Sequence, residues 1–200
     1  MVSLIELLGV LLVSFGLNII PFAGPSNLFI ACNAALLVNA DPLSIGFLVA
    51  LGSTSAKLIH YIVSFFIGKR LGEKRRKRLD AAVIKLRRWA FLALFIAAAT
   101  PIPDEPVIIP LGLMRYSPVK FALVFFSGKL LVGVFGAYMG GFGEQFLGGY
   151  LSQEALAIIS IALTIVITVV LLKVDLSRIA ERILKKLGWT KNGRHFEENI

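Results

Sequence analysis

Apolar stretches of different lengths follow one another along the chain, separated by short breaks rich in proline, glycine and polar residues. Three stretches, residues 43–68, 119–138 and 155–172, are long enough to cross a bilayer core of roughly 30 Å as helices. The other apolar stretches lie within residues 3–39 and 89–116, and a proline-containing break interrupts each of them. The pattern therefore predicts three crossings and two broken helical hairpins.

The two breaks combine helix-breaking prolines with polar residues that can start a new helix. Ser26 and Asn27 suit an N-cap in the first break, and two adjacent carboxylates follow the prolines of the second. Backbone groups freed by a break cannot face lipid, so each break must be buried in protein or line a wet cavity. We interpret both as tips of re-entrant hairpins at membrane depth. The residues that form them are Pro21, Gly24, Pro25, Asn27, Pro101, Pro103 and Pro106.

The two halves of the chain repeat the same order of parts. Each has a broken hairpin, a turn that ends in proline (Pro42 or Pro118), and a crossing with one central lysine (Lys57 or Lys129). The predicted fold class is an all-α integral membrane protein with two inverted repeats, each a re-entrant helical hairpin plus a transmembrane helix. A C-terminal transmembrane helix and a surface amphipathic helix are added to them. Many transporters place a midplane site between repeats of this kind.

Composition and charge agree with a membrane protein and predict its orientation. Hydrophobic residues make up 57% of the 200 residues, and the formal net charge is +9. Lysine and arginine are concentrated in residues 69–88 and 173–194. This distribution favours cytoplasmic segments that obey the positive-inside rule over nucleic acid as a partner. We expect a multi-pass protein of the cell membrane with its N-terminus outside and its C-terminus in the cytoplasm.

The chain is expected to form one membrane domain with cytoplasmic additions. Residues 1–172 are predicted to be a single transmembrane domain that includes the basic cytoplasmic segment 69–88. Residues 173–200 are predicted to be a cytoplasmic amphipathic helix and tail. Cys32 is the single cysteine, which excludes an internal disulfide and a cysteine-rich metal site. Without a phosphate-loop motif or a Ser/His arrangement, we expect neither a cofactor nor an enzymatic activity.

Four ionisable side chains fall at membrane depth: Lys57, Asp104, Glu105 and Lys129. Their formal charges cancel, so mutual pairing is the arrangement that costs least inside a membrane. Such pairs could only fix a hairpin to a helix, or they could form a site for an anionic headgroup. His60 shares a helix face with Lys57 and is a candidate proton relay, although a packed or hydrogen-bonded histidine is the commoner case.

Three motifs resemble those of the DedA family, also called the VTT-domain or SNARE-associated membrane proteins. Pro101-Ile-Pro-Asp-Glu105 resembles the proline-rich hairpin motif of that family. Gly68-Lys-Arg-Leu-Gly72 resembles its Gly-(Lys/Arg)-x-x-Gly motif, and Pro21-Phe-Ala-Gly-Pro25 resembles a weaker hairpin. The resemblance extends over residues 18–143.

The resemblance implies two facing re-entrant hairpins and the translocation of lipids, either polyprenyl-phosphate carriers or phospholipids. It assigns the hairpin acid to Glu105, and Asp104 stands where a small residue is common in the family. Arg115 corresponds to the hairpin arginine of the family, although here it follows the hairpin instead of lying within it. The first hairpin lacks an acid, and this departure bears on proton coupling through both hairpins.

These observations give one principal hypothesis and one alternative. The principal hypothesis is a lipid transporter in which Glu105 and Asp104 are gating or proton-linked acids, while Lys57 and Lys129 contact the phosphate. The expected partners are membrane lipids with anionic headgroups and, in a coupled transporter, protons. The alternative is a small-solute or drug exporter of similar hairpin architecture. The small size of the chain favours the lipid route, or else a homodimer.

Overall fold

The computed structural model describes residues 3–21, 24–70, 90–100 and 104–173, and every regular element in these ranges is a helix. The all-helical class is therefore confirmed for the described part of the chain. The predictions for residues 71–89 and 174–200 lie outside the described residues. The helices are α1 (Leu4–Asn18), α2 (Asn27–Leu37), α3 (Pro42–Arg70), α4 (Ala90–Ala99), α5 (Glu105–Leu113), α6 (Pro118–Leu147) and α7 (Gln153–Lys173).

Two of these helices, α3 with 29 residues and α6 with 30, are long and apolar enough to cross a membrane. Half of the most apolar window of each is buried inside the protein, so both also form its core. α3 agrees with the crossing predicted for residues 43–68. α7 covers the stretch predicted for residues 155–172 and packs against α2.

The end of α6 differs from the prediction. The sequence predicted a crossing over residues 119–138, whereas α6 continues through the glycines of residues 140–143 to Leu147. Gly140 lies against α2, where an added Cβ would come within 2.5 Å of the Cys32 carbonyl oxygen. Because small residues let two helix backbones approach closely, this glycine serves helix packing without interrupting the helix.

Glycines at the contacts allow the shorter helices to approach the two long ones. α1 packs on α3 at Gly52, and α5 packs on α3 through its own Gly112. α4 packs on α6 at Gly128, and α2 packs on α6 at Gly140. The two long helices cross where Gly46 of α3 meets α6. Each long helix is therefore covered by one helix that precedes Pro42, α1 or α2, and by one helix from the second half of the chain, α5 or α4.

Two apolar clusters fill the interior around the long helices. The first joins α3, α4, α5 and α6 and includes the fully buried rings of Tyr61 and Phe121. The second joins α1, α2, α3 and α6 and includes Ile30 and Val49. The first cluster contains the helices on either side of the second break, and the second cluster contains those on either side of the first break. Because α3 and α6 contribute to both clusters, these two long helices connect the two sets of short helices.

Polar side chains begin several helices. Ser26 accepts a hydrogen bond from the Leu28 amide, which confirms the predicted start of α2. Asp41 accepts one from the Ser44 amide at 2.8 Å, and hydrogen bonds from the Ser44 hydroxyl and amide lower the pKa of the Asp41 carboxyl. Asp104, by contrast, precedes α5 without a side-chain capping bond. Its carboxylate is directed to another partner.

Candidate binding site at two buried ion pairs

The start of α5 carries two adjacent carboxylates that are both paired with lysine. Glu105 Oε1 lies 2.5 Å from Lys57 Nζ, and Asp104 Oδ2 lies 2.7 Å from Lys129 Nζ. All four side chains are less than one tenth exposed. The four charges singled out in the sequence are therefore brought together in two pairs.

The two lysines come from different long helices, Lys57 from α3 and Lys129 from α6. The pairs therefore hold the start of α5 between α3 and α6. A negative charge in the first turn of a helix is also favoured by the helix dipole, which benefits Glu105. Removing one member of such a pair would leave its partner as an uncompensated buried charge.

An aromatic column supports the second ion pair. The rings of Tyr61 and Phe121 stack at 4.3 Å between centroids, and Phe121 stacks on Phe125 at 5.5 Å. Lys129 Nζ lies 5.1 Å from the centre of the Phe125 ring, within range of a cation–π interaction. The Tyr61 hydroxyl donates to the carbonyl oxygen of Tyr116, just after α5. The column therefore links α3 and α6 to the end of α5, the helix that follows the second break.

Side-chain amides hold the two ends of the first break together, whereas ion pairs hold the second break in place. Asn18 at the end of α1 and Asn27 at the start of α2 exchange hydrogen bonds of 3.0 and 3.3 Å, and both are buried. The Asn18 amide also donates to the carbonyl oxygen of Ser14. The sequence singled out Asn27 but not its partner. A polar residue at the end of an apolar stretch was the signal available for Asn18.

His60 contacts the first break, although Lys57 on the previous turn of α3 contacts the second. His60 Nε2 is 2.8 Å from the carbonyl oxygen of Ile19, directly after α1. Its Nδ1 is buried and has no hydrogen-bond partner among the described residues. One stretch of α3 therefore ties both breaks together, and His60 is not in the ion-paired group.

Arg115 lies after α5 and forms no ion pair within the described part of the chain. It has a left-handed backbone with φ 55°. Its amide donates to the Gly112 carbonyl and the Tyr116 amide donates to that of Leu111, which is a Schellman ending of the helix. In the structure, Arg115 therefore terminates α5 through its backbone.

The break residues named from the sequence are only partly described. Pro25 and Asn27 lead into α2, and Pro106 lies in the first turn of α5, where proline is tolerated. An added Cβ on Gly24 would come within 2.6 Å of the Leu17 carbonyl oxygen, so this position requires a close approach to α1. Pro21 follows α1 in a turn. The prolines at 101 and 103 lie outside the described residues.

The fold and the site agree with a family assignment. Residues 24–142 match the model of the VTT domain, which is the domain of the DedA family. The chain is also 32% identical over 130 residues to an uncharacterized protein of Methanocaldococcus jannaschii. That match covers 62% of this chain and 76% of the relative. No solved structure matches the chain.

The protein therefore belongs to the VTT-domain, or DedA, family of membrane proteins. Both ion pairs, the first break from Pro25 onwards, all of α3 and the part of α6 up to residue 142 lie within the matched range of 24–142. Within the described residues, no group of three or more His, Cys, Asp or Glu side chains could hold a metal ion.

Proposed function

We propose that the protein moves a lipid with an anionic headgroup, a polyprenyl phosphate or a phospholipid, between the two leaflets of the cell membrane. The observation that carries the proposal is the pair of buried Lys–carboxylate contacts at the start of α5. Buried charges within apolar helices are costly and usually mark the path of an ion or a charged substrate. The protein is proposed to act as a transporter without enzymatic activity.

Exchange of partners is the proposed mechanism. A headgroup phosphate that reaches the site would compete with Glu105 for Lys57 and with Asp104 for Lys129. Each released carboxylate would then have lost its lysine counter-charge inside the protein, and protonation would remove the cost of that buried charge. Proton uptake at Glu105 or Asp104 would therefore favour the lipid-bound state and would couple transport to the proton gradient.

The proposed architecture is a pair of inverted repeats, each with a re-entrant hairpin. α1 with α2 would form the first hairpin, and α4 with α5 the second. The contact of both breaks with neighbouring turns of α3 supports this proposal, through His60 and Lys57. The proposed orientation has the N-terminus outside and the C-terminus in the cytoplasm, because the basic segments then lie inside.

Lipid exchange in vesicles is the direct test. Purified protein would be reconstituted, and the movement of fluorescent phospholipid and polyprenyl phosphate between leaflets would be followed with and without a proton gradient. We expect exchange in the unchanged protein and its loss in Glu105→Gln and Lys129→Ala. Asp41→Asn and Lys120→Ala are matched controls, since both positions are exposed and asparagine can still cap α3.

A small-solute exporter is the second candidate function, because buried carboxylates can also serve a soluble cation. It predicts uptake of a soluble substrate into vesicles and no exchange of either lipid. Lipid exchange that persists in folded Glu105→Gln and Lys129→Ala proteins would overturn the role proposed for the ion pairs. The pairs would then be structural contacts alone.

A further inference from the structure

Three cationic side chains meet where α3 and α5 end. Lys69 and Arg70 are the last two residues of α3, and Arg115 follows the end of α5. The two helix ends touch, because an added Cβ on Gly68 would come within 2.9 Å of the Leu113 Cα atom. Lys69 is next to Gly68, and Arg115 is two residues beyond Leu113. The three cations therefore share one small surface, the basic cluster.

The basic cluster has no counter-charge in the described part of the chain. None of its three side chains forms an ion pair there. The described acids outside the buried pairs lie at the starts of α1, α3 and α7 and near the end of α6, far from the cluster; they are Glu6, Asp41, Glu144 and Glu154. Residues 71–89 cannot neutralise the cluster either, because they contain eight Lys or Arg and only two acids. An external anion is therefore the counter-charge that this surface lacks.

Two aromatic rings hold the Lys69 ammonium in place. Lys69 Nζ lies 5.3 Å from the centre of the Phe65 ring and 5.3 Å from that of Phe66. The two rings meet edge to face, with 6.1 Å between their centroids. Cation–π contacts at this distance orient the ammonium but accept no full hydrogen bond from it. Because an ammonium has three N–H donors, those that point away from the rings remain available to an anion.

Apolar surface adjoins the basic cluster and indicates a lipid instead of a soluble anion. Phe66 and Ile67, which directly precede Gly68 on α3, are 57% and 53% exposed. In a membrane protein, exposed apolar side chains of this kind face the acyl chains of the bilayer. A lipid can therefore place its anionic group on the cluster and its hydrocarbon chains against these two residues. A free phosphate ion could use only the charged part of the surface.

The position of the cluster along α3 agrees with the level of lipid phosphates. α3 has 29 residues and is about 43 Å long, close to the thickness of roughly 40–45 Å of a bilayer with its headgroups. Lys57 lies near the midpoint of this helix, and Lys69 lies about 18 Å further along it. Half of the hydrocarbon core is only about 15 Å thick. Lys69 therefore falls just beyond the core, where phosphate groups lie.

We propose that the basic cluster binds the phosphate of one anionic lipid. Lys69 and Arg115 contact the phosphate from two helix ends, and Arg70 adds to the positive charge of the same surface. The hydrocarbon chains of the lipid lie against Phe66 and Ile67. The proposal concerns binding and does not rest on the proposed transport, because a lipid can be held at this surface even if the buried ion pairs move nothing.

Native mass spectrometry of the full chain in detergent tests the proposal, because it counts the lipids bound to each protein molecule. Delipidated protein is titrated with anionic phosphatidylglycerol and, separately, with zwitterionic phosphatidylcholine. We expect one phosphatidylglycerol to bind more tightly than any phosphatidylcholine. Lys69→Gln and Arg115→Gln should each weaken this one binding step by about fivefold, the effect of one cation at a membrane surface. Lys69→Arg keeps the charge and should retain the binding.

Lys120→Gln is the matched control, because it also removes one exposed positive charge. Lys120 lies beside exposed Leu123 on the outer face of α6, whereas Phe121 stacks on α3. This variant should leave the tight binding step unchanged. Thermal unfolding without added lipid checks that all variants are folded, which is expected since the substituted side chains are at most partly buried.

Several results would overturn the proposal. Equal weakening by Lys120→Gln would mean a general attraction to basic surface, and equally tight binding of phosphatidylcholine would mean that charge does not select the lipid. Loss of two bound lipids in the double variant Lys69→Gln with Arg115→Gln would mean that the two helix ends do not share one phosphate. Displacement of the lipid by an equal concentration of inorganic phosphate would mean that the hydrocarbon chains contribute nothing.

Discussion

Asp104 and Glu105 are neighbours in the chain, yet they pair with lysines on different helices. Successive residues at a helix start are rotated by about 100° about its axis, so two adjacent side chains can point to two different partners. The sequence predicted that the four charges pair with one another. It could not predict which lysine takes which acid, because Lys57 and Lys129 hold equivalent positions in their halves.

Removing one charge should separate the structural role of the pair from its functional role. Glu105→Gln leaves the Lys57 ammonium buried without a counter-charge and should lower the free energy of unfolding by about 3–5 kcal/mol. The double variant Lys57→Met with Glu105→Leu removes both charges and should recover most of that loss. Denaturant unfolding in detergent measures both effects.

Transport by the double variant then decides the role of the pair. If the pair handles the headgroup, the stable double variant exchanges no lipid. A double variant that is stable and as active as the unchanged protein would contradict the proposed role of Glu105. A double variant that is as unstable as Glu105→Gln would contradict the electrostatic explanation of the first result.

Arg115 is the one non-glycine residue with positive φ in the described part of the chain. A side chain in this left-handed conformation costs roughly 1 kcal/mol relative to glycine. Arg115→Gly should therefore leave stability unchanged or raise the unfolding midpoint slightly, and Arg115→Val should lower it. Thermal unfolding followed by circular dichroism checks the order. A large loss of stability in Arg115→Gly would instead indicate an interaction of the guanidinium group that the structure does not contain.

The elements show where sequence patterns succeed and where they fail. Proline breaks and the cap at Ser26 were predictable, because both act through the local backbone. The end of α6 was not, because Gly140 packs closely against α2 and does not end the helix. The pairing of Asn18 with Asn27 was missed for a similar reason: two residues nine positions apart meet only after the chain has turned.

Neighbouring glycines of α6 should respond in opposite directions to the same substitution. Gly140→Ala should destabilise the protein by about 1–3 kcal/mol, because its Cβ would collide with the Cys32 carbonyl of α2. Gly141→Ala meets no atom within 4 Å and should stabilise the helix by about 0.5–1 kcal/mol. Thermal unfolding of both variants in detergent provides the measurement. Equal effects at both positions would contradict the close packing of α2 on α6.

At the scale of the whole molecule, the two breaks meet because α3 contacts both of them. Lys57 and His60 are one turn apart on α3, and Lys57 contacts the second break while His60 contacts the first. A shift of α3 would therefore move both breaks. The sequence placed Lys57 and His60 on one helix face but could not predict that they contact different segments. Each long helix is covered by short helices from both halves, so the two halves of the chain are packed together along both α3 and α6.

The position of the first hairpin relative to the membrane can be measured with single cysteines. In a Cys32→Ser background, Ser3→Cys precedes α1 and Asp41→Cys precedes α3, while Lys120→Cys and Gln145→Cys lie near the two ends of α6. If α1 and α2 form a re-entrant hairpin, a membrane-impermeant maleimide added to intact cells should label positions 3 and 41 together. It should also label position 145, but label position 120 only after the membrane is opened. Labelling of 3 and 41 from opposite sides would instead mean that α1 and α2 together cross the membrane, and the inverted-repeat proposal would fail.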